Sequence, residues 1–202
     1  MLQVNLFGMT PAEALKHREG HSIIHPEMNT YLLKAEHYDP VTSKYFAEQD
    51  QQFQIFDKKF ENQDTVIEEA LPFVTDIQGI PTTNTYFGRR LLEANPDGLQ
   101  DLTTWVAEGF WKSLLGLPGF MMKRPIEKRT RLTQALRVLV DEEPEDRAAF
   151  LHAHFQTRKE IGWSNEMRAK DLLGFFFAYV ILRPSSAQLG VSSTLSHPWP
   201  AN

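Results

Sequence analysis

Residues 40–62 read PVTSKYFAEQDQQFQIFDKKFEN. Phe46, Phe53, Phe56 and Phe60 recur there at steps of seven, three and four. At about 100° per residue the four rings fall within one narrow arc of a helix. Gln49 shares that arc, while Glu48, Gln52 and Lys59 occupy the other side. The period predicts an amphipathic helix, started at Asp39-Pro40, that buries its aromatic stripe in a core.

Working outward, Thr10-Pro11-Ala12-Glu13 is a capping box with proline at the first helical position. Gly20 is expected to end that first helix. Pro26 is expected to open a short second one carrying Tyr31, Leu32 and Ala35. Beyond the aromatic helix, a shorter helical segment spans Asp64 to Leu71 and stops at Pro72. Residues 73–83 hold Gly79, Pro81 and three threonines, which reads as the main internal loop, with room for a short strand at Pro72–Ile77.

A helix follows from Thr85 to Ala94, then the turn Asn95-Pro96-Asp97-Gly98. Leu99, Leu102, Val106, Phe110 and Leu114 form a second helical stripe, ended by Gly116 and Pro118-Gly119. Pro125 starts a helix with Leu132, Leu136, Leu139 and Val140 on one side. Pro144, Glu145 and Asp146 suit the first turn of the next, where acids complement the helix dipole. Arg158 and Lys159 suit its last turn and Gly162 its end. Ser164 caps a final helix that runs to Leu182, before Arg183-Pro184.

These signals predict an all-α fold, a single-domain bundle of about seven helices over 1–183, with a loop-rich insertion near 72–84. A Ser/Pro-rich, irregular tail follows at 184–202, where Trp199 alone has the apolar area to dock. Length and composition agree: 202 residues suit one core, and 42% hydrophobic with 23% charged residues are ordinary globular values. The longest apolar stretch, Leu172 to Leu182, is far short of the roughly 20 residues that a membrane span needs. The N-terminus shows no secretion signal, so a cytoplasmic location is expected.

Several chemistries are excluded by residue type. There is no cysteine, hence no disulfide, zinc–thiolate site, iron–sulfur cluster or thiol nucleophile within these residues. No Walker cradle, G-x-G-x-x-G, G-x-S-x-G, H-E-x-x-H or Glu-x-x-His pattern occurs. No metal and no cofactor are expected.

His17, His21 and His25 are spaced i, i+4, i+8, and imidazoles at i and i+4 of one helix can share a metal or line a ligand pocket. Gly20, Ser22 and Pro26 argue for a broken helix instead, with histidines complementing its C-terminal dipole. His152 and His154 point to different faces of a helix and cannot chelate together. Asp57, Glu61, Asp64 and Glu68 form an acidic ridge read as a solvated face. The aromatic stripe, with Trp105, Phe110, Trp111 and Phe175-Phe176-Phe177, is read as core, or as the lining of an apolar pocket.

The most distinctive feature is electrostatic. Lys123, Arg124, Lys128, Arg129, Arg131 and Arg137 are opposed within their segment by Glu127 alone, and Arg89-Arg90 can extend the patch. Residues 39–69 hold eight acids and three bases, and the net charge is −5. Three readings stand: a phosphate or nucleic-acid patch, docking to a partner, or internal pairing of the two segments.

The function expected from these features is non-catalytic association, as an assembly factor, adaptor or structural subunit. Its partner would be another protein or a second copy of the chain. Nucleic acid is less favoured given the acidic balance. The alternatives are a helical-bundle enzyme or small-ligand binder with an apolar aromatic pocket, marked by two or more of His17, His21, His25, His37 and Glu36 converging on one cavity, and a phosphate or nucleic-acid binder using 123–137.

Overall fold

The computed structural model describes residues 2–61 and 73–182. These are all-α, with no strand among them. The expected segment Asp64–Leu71 and the tail with Trp199 lie outside the described residues. In chain order the helices are α1 (Leu2–Phe7), α2 (Pro11–Leu33), α3 (Ala35–Phe60), α4 (Ile80–Phe87), α5 (Arg90–Ala94), α6 (Gly98–Trp105), α7 (Trp111–Leu114), α8 (Lys123–Glu142), α9 (Ala149–Glu160) and α10 (Asn165–Phe177). Wider π-turns occupy Thr75–Gly79, Val106–Phe110 and Ala178–Leu182.

The long α8 is the hub. It packs against α6 on one side and α10 on the other, while α3 lies on α4 and α9 on α2. Leu132, Leu136 and Leu139 of α8 are fully buried with Leu172, Leu173 and Phe176 of α10, Leu102 of α6 and Phe87 of α4. Each such side chain contributes about 1.5–3 kcal/mol through burial.

The local signals that were met are specific. Thr10 Oγ1 accepts from the Glu13 N–H at 3.2 Å, and Glu13 Oε2 accepts in return from the Thr10 N–H at 2.6 Å. Ser164 caps α10 by accepting from the Met167 N–H. Gly162 takes φ +75 just past α9.

Other expectations are corrected. α2 runs unbroken through Gly20 and Pro26. Gly20 is buried and is not among the left-handed glycines, so it does not act as a helix stop. α3 likewise begins before Pro40 and contains it. The expected loop-rich insertion near 72–84 is helical from residue 73 onward. Gly79 there has helical angles and sits with Leu99 methyls 3.2 Å from where a Cβ would lie, so it serves close packing rather than a turn. Pro81 occupies the first turn of α4, where its missing N–H costs nothing.

Pro144, Glu145 and Asp146 precede α9 instead of opening it. Asp146 is held against the end of α4, its Oδ2 accepting from the Arg89 N–H at 2.9 Å. A Cβ on Gly88, which takes φ +81, would stand 2.3 Å from Asp146 Oδ1.

The aromatic stripe of α3 divides. Phe46 is 64% exposed and Phe53 48%, contrary to the expectation, while Phe56 and Phe60 are half-buried, Phe56 edge-on to Phe73 at 5.3 Å, and Gln52 is buried. Polar side chains dock the helix: Glu48 accepts from Asn84 and Arg89 at 2.9 Å each, and Gln49 donates to the Ile77 carbonyl at 2.9 Å. Hydrogen-bond complementarity to α4 and the turn before it orients α3.

Candidate functional site

Lys123, Arg124, Lys128, Arg129, Arg131 and Arg137 share α8, and most of them are matched by acids. Asp101, 0% exposed, lies 2.9 Å from Lys128 Nζ and 3.2 Å from Arg131 Nε, and also accepts from Asn95 Nδ2 at 3.0 Å. Arg131 reaches Asp97 at 3.0 Å, and Arg124 reaches Glu108 at 3.0 Å. Arg137 forks onto Asp141 of its own helix. Lys123 is exposed. Arg129 differs from the rest: its Nη1 donates to the main-chain carbonyls of Asn5 and Leu6. Arg89 and Arg90 do not extend the patch, because they pair with Glu48 and Glu142. The pairing is therefore internal, and among the described residues its main partners lie at 97–108 rather than in the acidic 39–61 stretch.

A second polar centre was not read from the sequence. Asp171, buried on α10, accepts from His17 Nε2 of α2 at 2.9 Å and from Arg158 Nε of α9 at 3.1 Å. His154 Nε2, also on α9, stands 3.1 Å away. Burial alone would raise the Asp171 carboxyl, but the hydrogen bonds from His154 and His17 and the neighbouring cations outweigh it, so its pKa falls well below the usual carboxylate range. An ionised carboxylate only accepts, so His17 presents its Nε2 proton to it. Burial pushes the His154 pKa down to about 4, against the pull of Asp171. Trp163 stacks on His17 with centroids 5.5 Å apart, and the Arg158 guanidinium lies 5.8 Å from its ring. The arrangement ties α2, α9 and α10 through one charge. Its one signal in sequence is an acid placed immediately before the apolar run Leu172–Leu182.

Of the three spaced histidines, His17 is thus taken up by Asp171, while the side chains of His21 and His25 lie outside the described residues. Among those described, no three His, Asp or Glu side chains form a metal-holding group. His37 pairs with its neighbour Glu36 at 3.4 Å and packs on Tyr31. Of the other histidine pair, His152 is exposed and His154 buried.

The aromatics expected to line a pocket divide. Trp105 is buried and packs edge-on to Phe177 and beside Phe7, and Phe110 stacks on Phe177 at 5.3 Å. Trp111 instead is 66% exposed, with Leu115 at 75% and Phe120 at 73%. These apolar side chains, here termed the apolar knob, lie on α7, just after it, and on the 3₁₀ turn Gly119–Met122, which folds back so that Ser113 Oγ meets Met122 Sδ at 3.7 Å. Exposed apolar groups clustered in this way mark contact surfaces.

Two of the clefts among the described residues carry charged side chains. One of about 370 Å³ is bordered by Ile80, Leu92, Leu99, Thr103 and Asp76, whose carboxyl is raised by burial against the opposing pull of Lys59. The other, about 220 Å³, lies between α1 and α8 and includes Arg129, Arg137 and Lys170.

The sequence is 26% identical over 204 residues to the cytochrome P450 monooxygenase poxD of Penicillium oxalicum. The match takes in 98% of this chain but 41% of that relative's length. No protein-family model matches the chain, and no solved structure does.

The haem of P450 enzymes is held by a cysteine thiolate. These 202 residues contain none. The described imidazoles with buried partners are already engaged, His17 and His154 both on Asp171. The donors present do not fit a P450 haem, and no helix among the described residues is long and apolar enough to cross a membrane.

Proposed function

We propose that these residues form a helical part of a P450-like monooxygenase and act by association, packing against polypeptide that supplies the haem-ligating thiolate from outside them. The similarity to a monooxygenase across 98% of the chain carries this reading. The absence of cysteine and the apolar knob of Trp111, Leu115 and Phe120 support the associative part of it. A hydrophobic face of this kind is what the packed centre of a lasting interface offers before its partner is in place. The internal neutralisation of α8 by Asp101, Asp97 and Glu108 removes most of the case for docking through charge.

The test is a native mass measurement on the protein isolated from its own host. The expected result is a haem-containing assembly heavier than 23.3 kDa. Exchange of Trp111 and Phe120 to Ser should then release these residues from their partner, or expose the knob to protease. A lone 23.3-kDa species without haem would overturn the proposal.

A further inference from the structure

On α8, Arg124, Lys128, Arg131 and Arg137 each have a carboxylate within 3.2 Å. Arg129 has none among the described residues. Its Nη1 donates to the carbonyls of Asn5 at 2.9 Å and Leu6 at 3.3 Å, in the last turn of α1, where carbonyls lack helical partners. Gly8 follows, at φ +69, and a Cβ there would lie 3.0 Å from Arg129 Nη2. The glycine lets the guanidinium lie flat on the backbone. Dipolar carbonyls do not replace a counter-charge, and burial accordingly lowers the Arg129 pKa. A half-buried cation left in this way is costly unless an anion joins it.

The cleft of about 220 Å³ beside Arg129 has the room to admit one. Arg129, Arg137 and Lys170 line it, and Glu166 is the single acid among its lining residues. Arg137 is shared between Asp141 and Glu166, and Lys170 between Glu13 and Glu166, so these two are neutralised and Arg129 is not. Thr130 and Thr133 donate their hydroxyls to carbonyls one turn back on α8. The donors left for a ligand are therefore the Nε and Nη2 of Arg129, with the Gln134 amide at the rim.

We propose that this cleft between α1 and α8 binds a phosphate group, with Arg129 as its principal clamp. The planar guanidinium fork suits two phosphate oxygens at once, and Arg129 is the cation of this cleft that no carboxylate among the described residues neutralises. The volume suits a phosphate with a small substituent. This site does not depend on the monooxygenase reading.

The experiment uses the full chain with inorganic phosphate and glycerol 3-phosphate as probes. Chloride at equal ionic strength is the control, and the readouts are calorimetric titration and melting temperature. Saturable binding and a rising melting temperature are expected with phosphate and not with chloride. Sedimentation with phosphatidic acid vesicles, compared with phosphatidylcholine ones, tells a lipid headgroup from a soluble ester. Arg129→Gln should weaken phosphate binding by about tenfold or more. Because that change also removes the tie to α1, Gln134→Glu is the second variant. It places a carboxylate at the rim, and should abolish phosphate binding while keeping the unliganded melting temperature at or above its original value. Equal effects of phosphate and chloride, or unchanged affinity in Gln134→Glu, would overturn the assignment.

Discussion

His17 and Asp171, 154 residues apart in sequence, meet at 2.9 Å. That bond joins the start of the chain to its last described helix, and Arg158 and His154 close on the same carboxylate. Replacing Asp171 with Asn would remove the buried negative charge that Arg158, His17 and His154 share. Removing one partner of a buried pair costs about 3–5 kcal/mol. Equilibrium denaturation should show a loss of that order, and a loss below about 1 kcal/mol would mean the centre is far wetter than its burial indicates.

The same centre sets a pH dependence. The His154 pKa falls from its ordinary 6.5 to about 4 in the folded chain. As pH drops below about 6.5 the unfolded chain takes up this proton first, so stability declines until the folded form protonates near 4. The folded Asp171 pKa lies below its ordinary 3.8, so its contribution is present above that value and is lost as pH falls further. Melting temperature should therefore fall steadily from neutrality to pH 4 and continue to fall below it. His154→Asn should flatten the upper part of the curve and leave the lower part.

Much of the local structure was legible because its causes are local. Thr10 and Glu13 cap each other three residues apart, Ser164 caps its own helix, and Leu132, Leu136 and Leu139 repeat on one face. The Asp171 centre was not legible. Its members come from three helices, and each has an ordinary explanation alone: His17 as a helix-end histidine, His154 as half of a split pair. Gly20, Pro26 and Pro40 misled in the other direction, since a long helix held by neighbours tolerates a missing hydrogen bond.

The pairing of α8 yields a prediction opposite to that for a free patch. A solvent-facing basic patch would lose its bases without effect on melting. Here, changing Arg124, Lys128 and Arg131 together to Gln strands Asp101, which is 0% exposed. A destabilisation of about 3 kcal/mol or more is expected. Arg124→Gln alone, at an exposed pair, should cost under about 1 kcal/mol. Thermal melts of the two variants side by side check this.

The orientation of α3 is tested just as simply. Phe53→Ala, at an exposed ring, should cost less than about 1 kcal/mol, whereas Phe176→Ala in the core should cost about 3–5 kcal/mol. Equal costs would return the aromatic stripe to the core.

The central claim is that these residues serve a P450-like enzyme whose thiolate lies outside them. The most direct measurement is the ferrous–carbon monoxide absorption spectrum, taken on the assembly from its own host and on these 202 residues expressed alone with added haem. The account predicts the band of thiolate-ligated haem in the assembly and its absence from the isolated residues. That band in the isolated residues, or an assembly that carries no haem, would contradict it.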